Sequence, residues 1–423
     1  MRRVLAMLGP LVVVVVTAVQ LPSMGASAAA SSTPGVTAST IKVGITYPDV
    51  AAIRSVINVD PGDYVSAYKA LINQINHSGG INGRKIAPVF SAVNPLGTSG
   101  AATACTQLTE DDGVFVVLGF FQTADTACYL DTHATPIIGQ SLTTQESSKA
   151  QAPWYNDQIS QSELVPKEMA YFKEQGAFAG KKVAVVGTYA DTQEMALVAT
   201  ALRNAKAHVV ATATNSVPDT DTTAQVQEYG VIAEKFKSAG ADVVVAVGNS
   251  GNGWPSALQQ NQSTYTPRLI ATDYNDLDAY VSNKAGVSQQ ILKNVLTAGP
   301  TPPAKVTWDD PTMKSCVATI QKAEPNASIS NPVTATASTP VTYTAPETAC
   351  PQVALLKAII TAAGKTLTTQ TFARGAASLK GISLPGGGGT FNFSGGHNDG
   401  NGPVFVYTWS PSGNKLVLKT TLG

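Results

Sequence analysis

The side chains able to do chemistry in this chain are hydroxyls, amides and carboxylates gathered in short stretches that follow apolar runs. Six such stretches are Tyr47 to Asp49, Phe120 to Asp125, Gln140 to Thr144, Tyr189 to Asp191, Asn249 to Trp254 and Thr272 to Asp276. These groups suit hydrogen-bonded recognition of a small polar molecule. Covalent catalysis finds little support. Gly248-Asn249-Ser250-Gly251-Asn252-Gly253 is glycine-rich but has neither phosphate-loop nor dinucleotide spacing, and there is no Gly-x-Ser-x-Gly elbow. The histidines His77, His133, His208 and His397 are scattered and form no pair at metal-ligand spacing. The run from His397 to Gly402 has a faint calcium-loop character, but the later Glu is missing and a Gly/Asn turn is the simpler account.

The elements that must position these stretches alternate between two periods. Ile41 to Ile45 is a β-branched run of strand length. Val65, Tyr68, Leu71, Ile72 and Ile75 then recur at helical spacing up to Gly79-Gly80, where a left-handed cap is cheapest for glycine. Asn82-Gly83 supplies a tight turn before a second strand over Lys85 to Val93. A short helix over Ala101 to Glu110, a fully apolar strand over Val114 to Gly119, a helix over Asp125 to His133 and a strand over Pro136 to Gly139 repeat the unit. The pattern restarts at Lys182 to Gly187. It continues through helices over Thr192 to Ala205 and Ala224 to Ala239 and near Ser256 to Gln260, and strands over His208 to Ala213, Asp242 to Gly248 and Arg268 to Ala271.

This alternation predicts an α/β fold of two similar halves. In open parallel sheets a ligand binds beyond the carboxyl ends of the strands, which is where the six stretches fall. Further along, Pro300, Pro302, Pro303 and Pro311 mark a stiff connection, Met313 to Ala323 reads as a helix, and Pro325 to Pro346 as a mobile Thr/Ser/Ala/Pro surface insertion. A helix over Pro351 to Ala363 follows, and a strand over Val404 to Trp409 lies near the end.

A chain of 423 residues is long enough for two domains, each with its own core. Charged residues make up 13% and the formal net charge is zero, so no nucleic-acid or other polyanionic partner is indicated. Arg2-Arg3, the apolar run Val4 to Val19 and the small residues Ala26-Ser27-Ala28 predict a signal peptide over residues 1–28 and hence secretion. Residues 29–40 read as a disordered leader. Four cysteines suit an oxidising compartment, and three disulfide pairings are possible.

The stretch Asn73-Gln74-Ile75-Asn76-His77-Ser78-Gly79-Gly80-Ile81-Asn82-Gly83-Arg84-Lys85-Ile86 combines a helix end, a Gly-Gly cap and an Ile-Asn-Gly-Arg turn. In this it resembles the type I periplasmic solute-binding proteins of the leucine/isoleucine/valine-binding group, and the likeness extends over most of residues 41–418. The resemblance implies two Rossmann-like lobes, each a parallel-sheet sandwich, joined by a three-stranded hinge. Lobe 1 would be 41–157 plus 299–400 and lobe 2 would be 158–298 plus 401–423, with crossings near Asp157, Ala298 and Gly400. It implies a monomeric binding protein without catalysis or cofactor, which delivers an amino acid or amide-like solute to an ABC permease. Many relatives in single-membrane bacteria are lipoproteins, but no cysteine precedes Cys105 here to carry a lipid.

In that family, loops of small residues hold an amino-acid carboxylate through hydroxyls and backbone N–H groups. Gln122, Thr123, Ser141, Thr143 and Thr144 match those positions by order along the chain, with Tyr47 and Gln140 in the same set of loops. On the facing lobe, Tyr189 and Asn249 join Asp273 and Asp276, the acids best placed for an ammonium, with Asp191 behind them and Tyr274 near the usual acidic position. Phe121, Trp154, Tyr155, Tyr189, Trp254 and Tyr274 are candidates to wall an apolar part, with ordinary core or hinge packing the alternative for each, and of the adjacent Phe120 and Phe121 one should reach the cleft. In this lobe arrangement Cys105 pairs with Cys128 and Cys316 with Cys350, each pair on consecutive helical segments, and each bond contributes about 3–4 kcal/mol by chain entropy. Two other functions compatible with the sequence are a sensing module that binds a receptor and a secreted hydrolase on an α/β scaffold.

Overall fold

The structure is a computed structural model that describes residues 33–53, 60–95, 99–122, 125–218, 221–282, 286–335 and 341–423. The expected signal peptide lies outside the described residues, as does Thr123.

Strands β1 (Thr40–Pro48), β2 (Lys85–Val93), β3 (Val116–Gly119), β4 (Ile137–Ile138) and β5 (Trp154–Tyr155) form one sheet in the order β2-β1-β3-β4-β5, parallel throughout. Apolar side chains leave both faces of this sheet, so both must be covered. On one face Ile41, Val43 and Ile45 meet the helix Tyr64–His77, whose first turn is capped by the Asp63 carboxylate accepting from the Ser66 N–H. Three late helices, Pro311–Ala323, Thr344–Ala363 and Thr369–Ala377, close the same core through Met313, Leu356 and Phe372. On the other face Val117 and Ile137 pack with Leu108, Tyr129 and Trp154. Disulfides join Cys105 to Cys128 beside this second core and Cys316 to Cys350 between two of the late helices, the pairing expected from the lobe arrangement.

Strands β6 (Lys182–Thr188), β7 (His208–Asn215), β8 (Val243–Ala246), β9 (Arg268–Ala271) and β10 (Leu296–Gly299) repeat the same parallel order as β7-β6-β8-β9-β10. A short hairpin, β11 (Ile382–Ser383) with β12 (Thr390–Phe391), belongs to the first lobe, where Phe391 joins the core. The chain then returns to the second sheet as β13 (Val404–Ser410) and β14 (Lys415–Leu422). Both are antiparallel additions: β10 leaves its sheet at the carboxyl tip, and β13 re-enters beside that tip, with Gly299 opposite Phe405. The α/β expectation of two lobes with mainly parallel sheets therefore holds, with this antiparallel edge added.

Prolines account for two shifted boundaries. The helix expected from Pro351 begins at Thr344, and the one expected near Ser256 begins at Ser250, so Pro351 and Pro255 lie inside helices. Proline is favoured at a first helical turn, which is why each was read as a start. Buried surroundings on Ala345, Ala349, Gly251 and Trp254 carry the helix through the missing N–H. The Pro325–Pro346 stretch is tied down at its ends: Thr342 accepts from the Ser330 N–H at 2.8 Å, and the buried Tyr343 ring lies edge-on to Trp308. Its residues 336–340 are outside the described set. Within the segment read as a leader, residues 33–40 are held by a Val36–Ile41 bridge and by Arg84, which donates to the Thr37 carbonyl at 2.7 Å. Among the described residues no helix is long and apolar enough to cross a membrane.

Candidate ligand-binding cleft

The carboxyl tips of β1, β3 and β4 face those of β9 and β10 across a cavity of about 600 Å³. Its floor is set by two glycines that end β3 and β4. Gly119 has φ of +122° and Gly139 of +119°. A Cβ on Gly119 would stand 1.9 Å from the Thr46 carbonyl, and one on Gly139 would stand 2.4 Å from the Gln352 amide nitrogen. That close approach lets Gln352, 3% exposed, reach the floor from the helix Thr344–Ala363. Its carbonyl accepts from the Tyr68 hydroxyl at 2.6 Å, and its amide donates to the Gly119 carbonyl at 3.4 Å.

The three chain crossings meet along one side of this cavity. The Asn156 N–H donates to the Asn398 carbonyl at 3.0 Å, and Asp399, 2% exposed, accepts from the Ser160 N–H at 2.7 Å. These bonds join the first crossing to the third. The Tyr407 hydroxyl donates to the Thr301 carbonyl at 2.6 Å, which joins the third to the second.

Of the residues expected to contact a ligand, Gln140, Ser141 and Asp273 line the cavity. Ser141 accepts from the Asn156 amide at 2.9 Å and does not cap a helix. Asp273 caps the helix Tyr274–Val281, accepting from the Asn275 N–H at 2.7 Å and from the Asp276 N–H. Thr143 caps the helix Thr144–Ser147 in a reciprocal box with Glu146 and lines a neighbouring interlobe cavity of about 1030 Å³, bounded on the other lobe by Asp191 and Glu194. Tyr47 lines a separate pocket of about 500 Å³ behind β1. Gln122 spends its amide on the Asn94 carbonyl, and Asp276 packs over Gly251. Tyr189 is 49% exposed. Gln122, Asp276, Tyr189 and the exposed Asn249 line none of these cavities.

Several of the aromatic candidates take the core-packing alternative. Trp254 is fully buried between Tyr229 and Phe236 in the second lobe, because the earlier helix start turns it onto the sheet. Tyr155 is buried between Phe372 and Phe393, and Tyr274 stacks on Tyr407 at 4.1 Å between centroids. Phe120 and Phe121 both border the cavity. Phe121 does so while 7% exposed, with its ring edge-on to Tyr129.

Residues not expected from the sequence contribute most of the polar lining: Asn156, Asp157, Gln161, Thr307 and Glu347, besides Gln352. The one available signal was composition, a carboxylate and two amides in apolar helices, but the misplaced start at Pro351 put Glu347 in a surface loop.

The electrostatics follow from this lining. Asp157 stands so deep among protein atoms that its pKa is pushed up to about 6, although water still reaches it through the cavity. Glu347, although its side chain is open to solvent at the cavity, is raised to about 7, first by the protein atoms crowded around it and then by the Asp157 charge. Burial also raises Asp273. Behind Asp273, Glu194 is held at about 7 by desolvation, opposed in part by the hydroxyl of Thr272, which donates to it. Glu168 is completely buried without a hydrogen-bond partner for either oxygen, and desolvation followed by the charges of Glu194 and Asp273 raises it well above the carboxylate range. Among the described residues no Lys, Arg or His lines the cavity. Among the described residues one close trio of possible metal donors exists, Cys105, Cys128 and His133, and its two sulfurs are bonded to each other.

Comparison with solved structures shows the same fold. A solute-binding protein from R. palustris in complex with 4-hydroxybenzoate is 16% identical, with a TM-score of 0.61 over 90% of this chain and 97% of that one. LivJ from Streptococcus pneumoniae in complex with isoleucine is 18% identical, with a TM-score of 0.57 over 90% and 98%. A fatty acid transporter substrate-binding protein from Thermomonospora curvata is 13% identical, with a TM-score of 0.59 over 92% and 93%. Among curated proteins none matches the chain. A family model described as periplasmic binding protein matches residues 40–415, a family of binding proteins rather than enzymes. Twin parallel sheets in one strand order, a cavity between their carboxyl tips and this match over nearly the whole chain lead to one conclusion: the chain belongs to the periplasmic binding protein family.

Proposed function

We propose that this protein is an extracytoplasmic solute-binding protein that closes on a small polar solute, of the amino-acid or amide-like class, and delivers it to an ABC importer. The observation that carries this reading is the cavity of about 600 Å³ bounded by strand tips of both lobes and backed by all three crossings. Its size suits a small molecule. Gln140, Ser141, Asn156, Gln352 and Asp273 are the contacts, the first four from lobe 1 and its crossing, the last from lobe 2. The moving units are 41–157 plus 299–400 and 158–298 plus 401–423, and the protein acts as a monomer.

Closure follows from contacts that exist only when the lobes meet, so ligand shifts the hinge equilibrium toward the shut form. A thermal-shift screen of the purified protein tests this reading. A ligand at 100 times its Kd stabilises by about 2.7 kcal/mol. Absence of any shift across amino acids, amides, amines, organic acids and aromatic acids would refute solute binding. Ligand-dependent association with a membrane permease, against association with a receptor kinase, separates import from sensing.

A further inference from the structure

We infer that the ligand of this cleft is a small organic cation of the diamine or guanidine class, held between carboxylates on its two walls; this rests on the solute-binding reading above and replaces its amino-acid or amide-like class with a cationic one. Asp157 and Glu347 stand on the side of the first lobe, and Asp273 stands at the head of the helix Tyr274–Val281 on the other. Among the described residues none has a Lys, Arg or His in the cavity to neutralise it. In a protein whose formal net charge is zero, this is a local concentration of negative potential between low-dielectric walls, the arrangement that draws cations in.

Two unpartnered polar atoms at the cavity are consistent with a ligand that brings hydrogen-bond donors. Thr307 lines the cavity while 3% exposed, and its hydroxyl has no hydrogen-bond partner. The Gln161 side-chain carbonyl lines it too and lacks a donor. Buried polar groups left unpaired in a protein cost free energy, and a ligand rich in N–H groups would satisfy both. Deeper in the second lobe, Glu168, with 0% exposure and two unpartnered oxygens, is held in its neutral form by burial and by the charges of Glu194 and Asp273. Lys167 on the same helix has Glu163 and Asp399 as its electrostatic neighbours and does not line the cavity.

Apolar contact is supplied by Phe120, Phe121 and Phe391, whose rings favour a cation over an anion. A carboxylate ligand, by contrast, would face three acids with only hydroxyls, amides and backbone N–H groups to hold it. The elevated pKa values of Asp157 and Glu347 are the expected state of such acids before a counter-charge arrives.

The test is calorimetric titration of the full chain with 1,4-diaminobutane and agmatine, against isoleucine as a zwitterion, acetamide as a neutral amide and 4-hydroxybenzoate as an anion. The cations are expected to bind at least tenfold tighter than the rest. Asp273→Asn and Glu347→Gln should each weaken the cations by about 10- to 100-fold, the effect of removing one charge-assisted contact. Asn remains a good helix cap, so the first variant keeps its fold. Tighter binding of isoleucine or 4-hydroxybenzoate, or cation binding unmoved by both variants, overturns the inference and leaves solute binding standing. Silence toward every class, in this titration and in a wider screen, defeats solute binding itself and the inference with it.

Discussion

Replacing Glu194 by Gln should stabilise this protein, and only above a definite pH. Burial and the carboxylates of Asp273, Asp191 and Asp276 raise the folded-state pKa of Glu194 to about 7, against 4.5 when exposed. Between these values the folded chain binds a proton that the unfolded chain releases, so stability is present below about pH 4.5 and lost as pH rises through 7. Each pKa unit corresponds to about 1.36 kcal/mol, so 2.5 units set an upper limit of about 3.4 kcal/mol at pH 8. Partial exposure of the side chain reduces this to an expected 2–3 kcal/mol, roughly. Gln still accepts the hydrogen bond from Thr272 and has the same shape, so the comparison isolates the charge. Urea unfolding of both proteins, followed by circular dichroism, should give coincident curves at pH 4 and a more stable variant at pH 8. A difference independent of pH, or a variant less stable at pH 8, would refute the picture of an uncompensated buried acid.

Gly139→Ala should cost about 2–5 kcal/mol in a denaturant midpoint experiment, since the residue would be forced to a φ of +119° and its Cβ driven against Gln352. A wild-type midpoint for it would contradict the tight floor. Loss of the Cys316–Cys350 bond, by the paired change to Ser, should lower stability by about 3–4 kcal/mol, because the bond closes a loop across 34 residues. An unchanged urea midpoint would show that the late helices hold this lobe without it.

Local chemistry made much of the fold legible before any coordinates. Gly79, Gly80 and Gly83 do take positive φ, and Asn82, at φ of +52°, anchors its turn by donating to the Ile360 carbonyl. The apolar run Val114 to Gly119 holds a strand over Val116–Gly119, because so short a β-branched run between turns suits a sheet buried on both faces. The loops after β4 and β9, with Gln140, Ser141 and Asp273, reach the cleft because a parallel sheet delivers every loop that follows a strand to its carboxyl end. Glu347 and Thr307 were not legible. Each lies in a helix that proline seemed to forbid, and each reaches the cavity only because the late helices return to the first sheet.

The sequence by itself determined most of the strands and the helices between them, where the left-handed turns at Asn82 and Gly83 fall and, through the order of its elements, that two like halves exist. These depend on neighbours within a few residues, where periodicity and backbone geometry act. Tertiary structure alone decided that Asp157, Asp273 and Glu347 share one cavity, with no balancing cation among the described residues. That is a property of long-range closure, and no local pattern encodes which side chains will be left facing one another, unpaired, once two lobes fold back across three crossings.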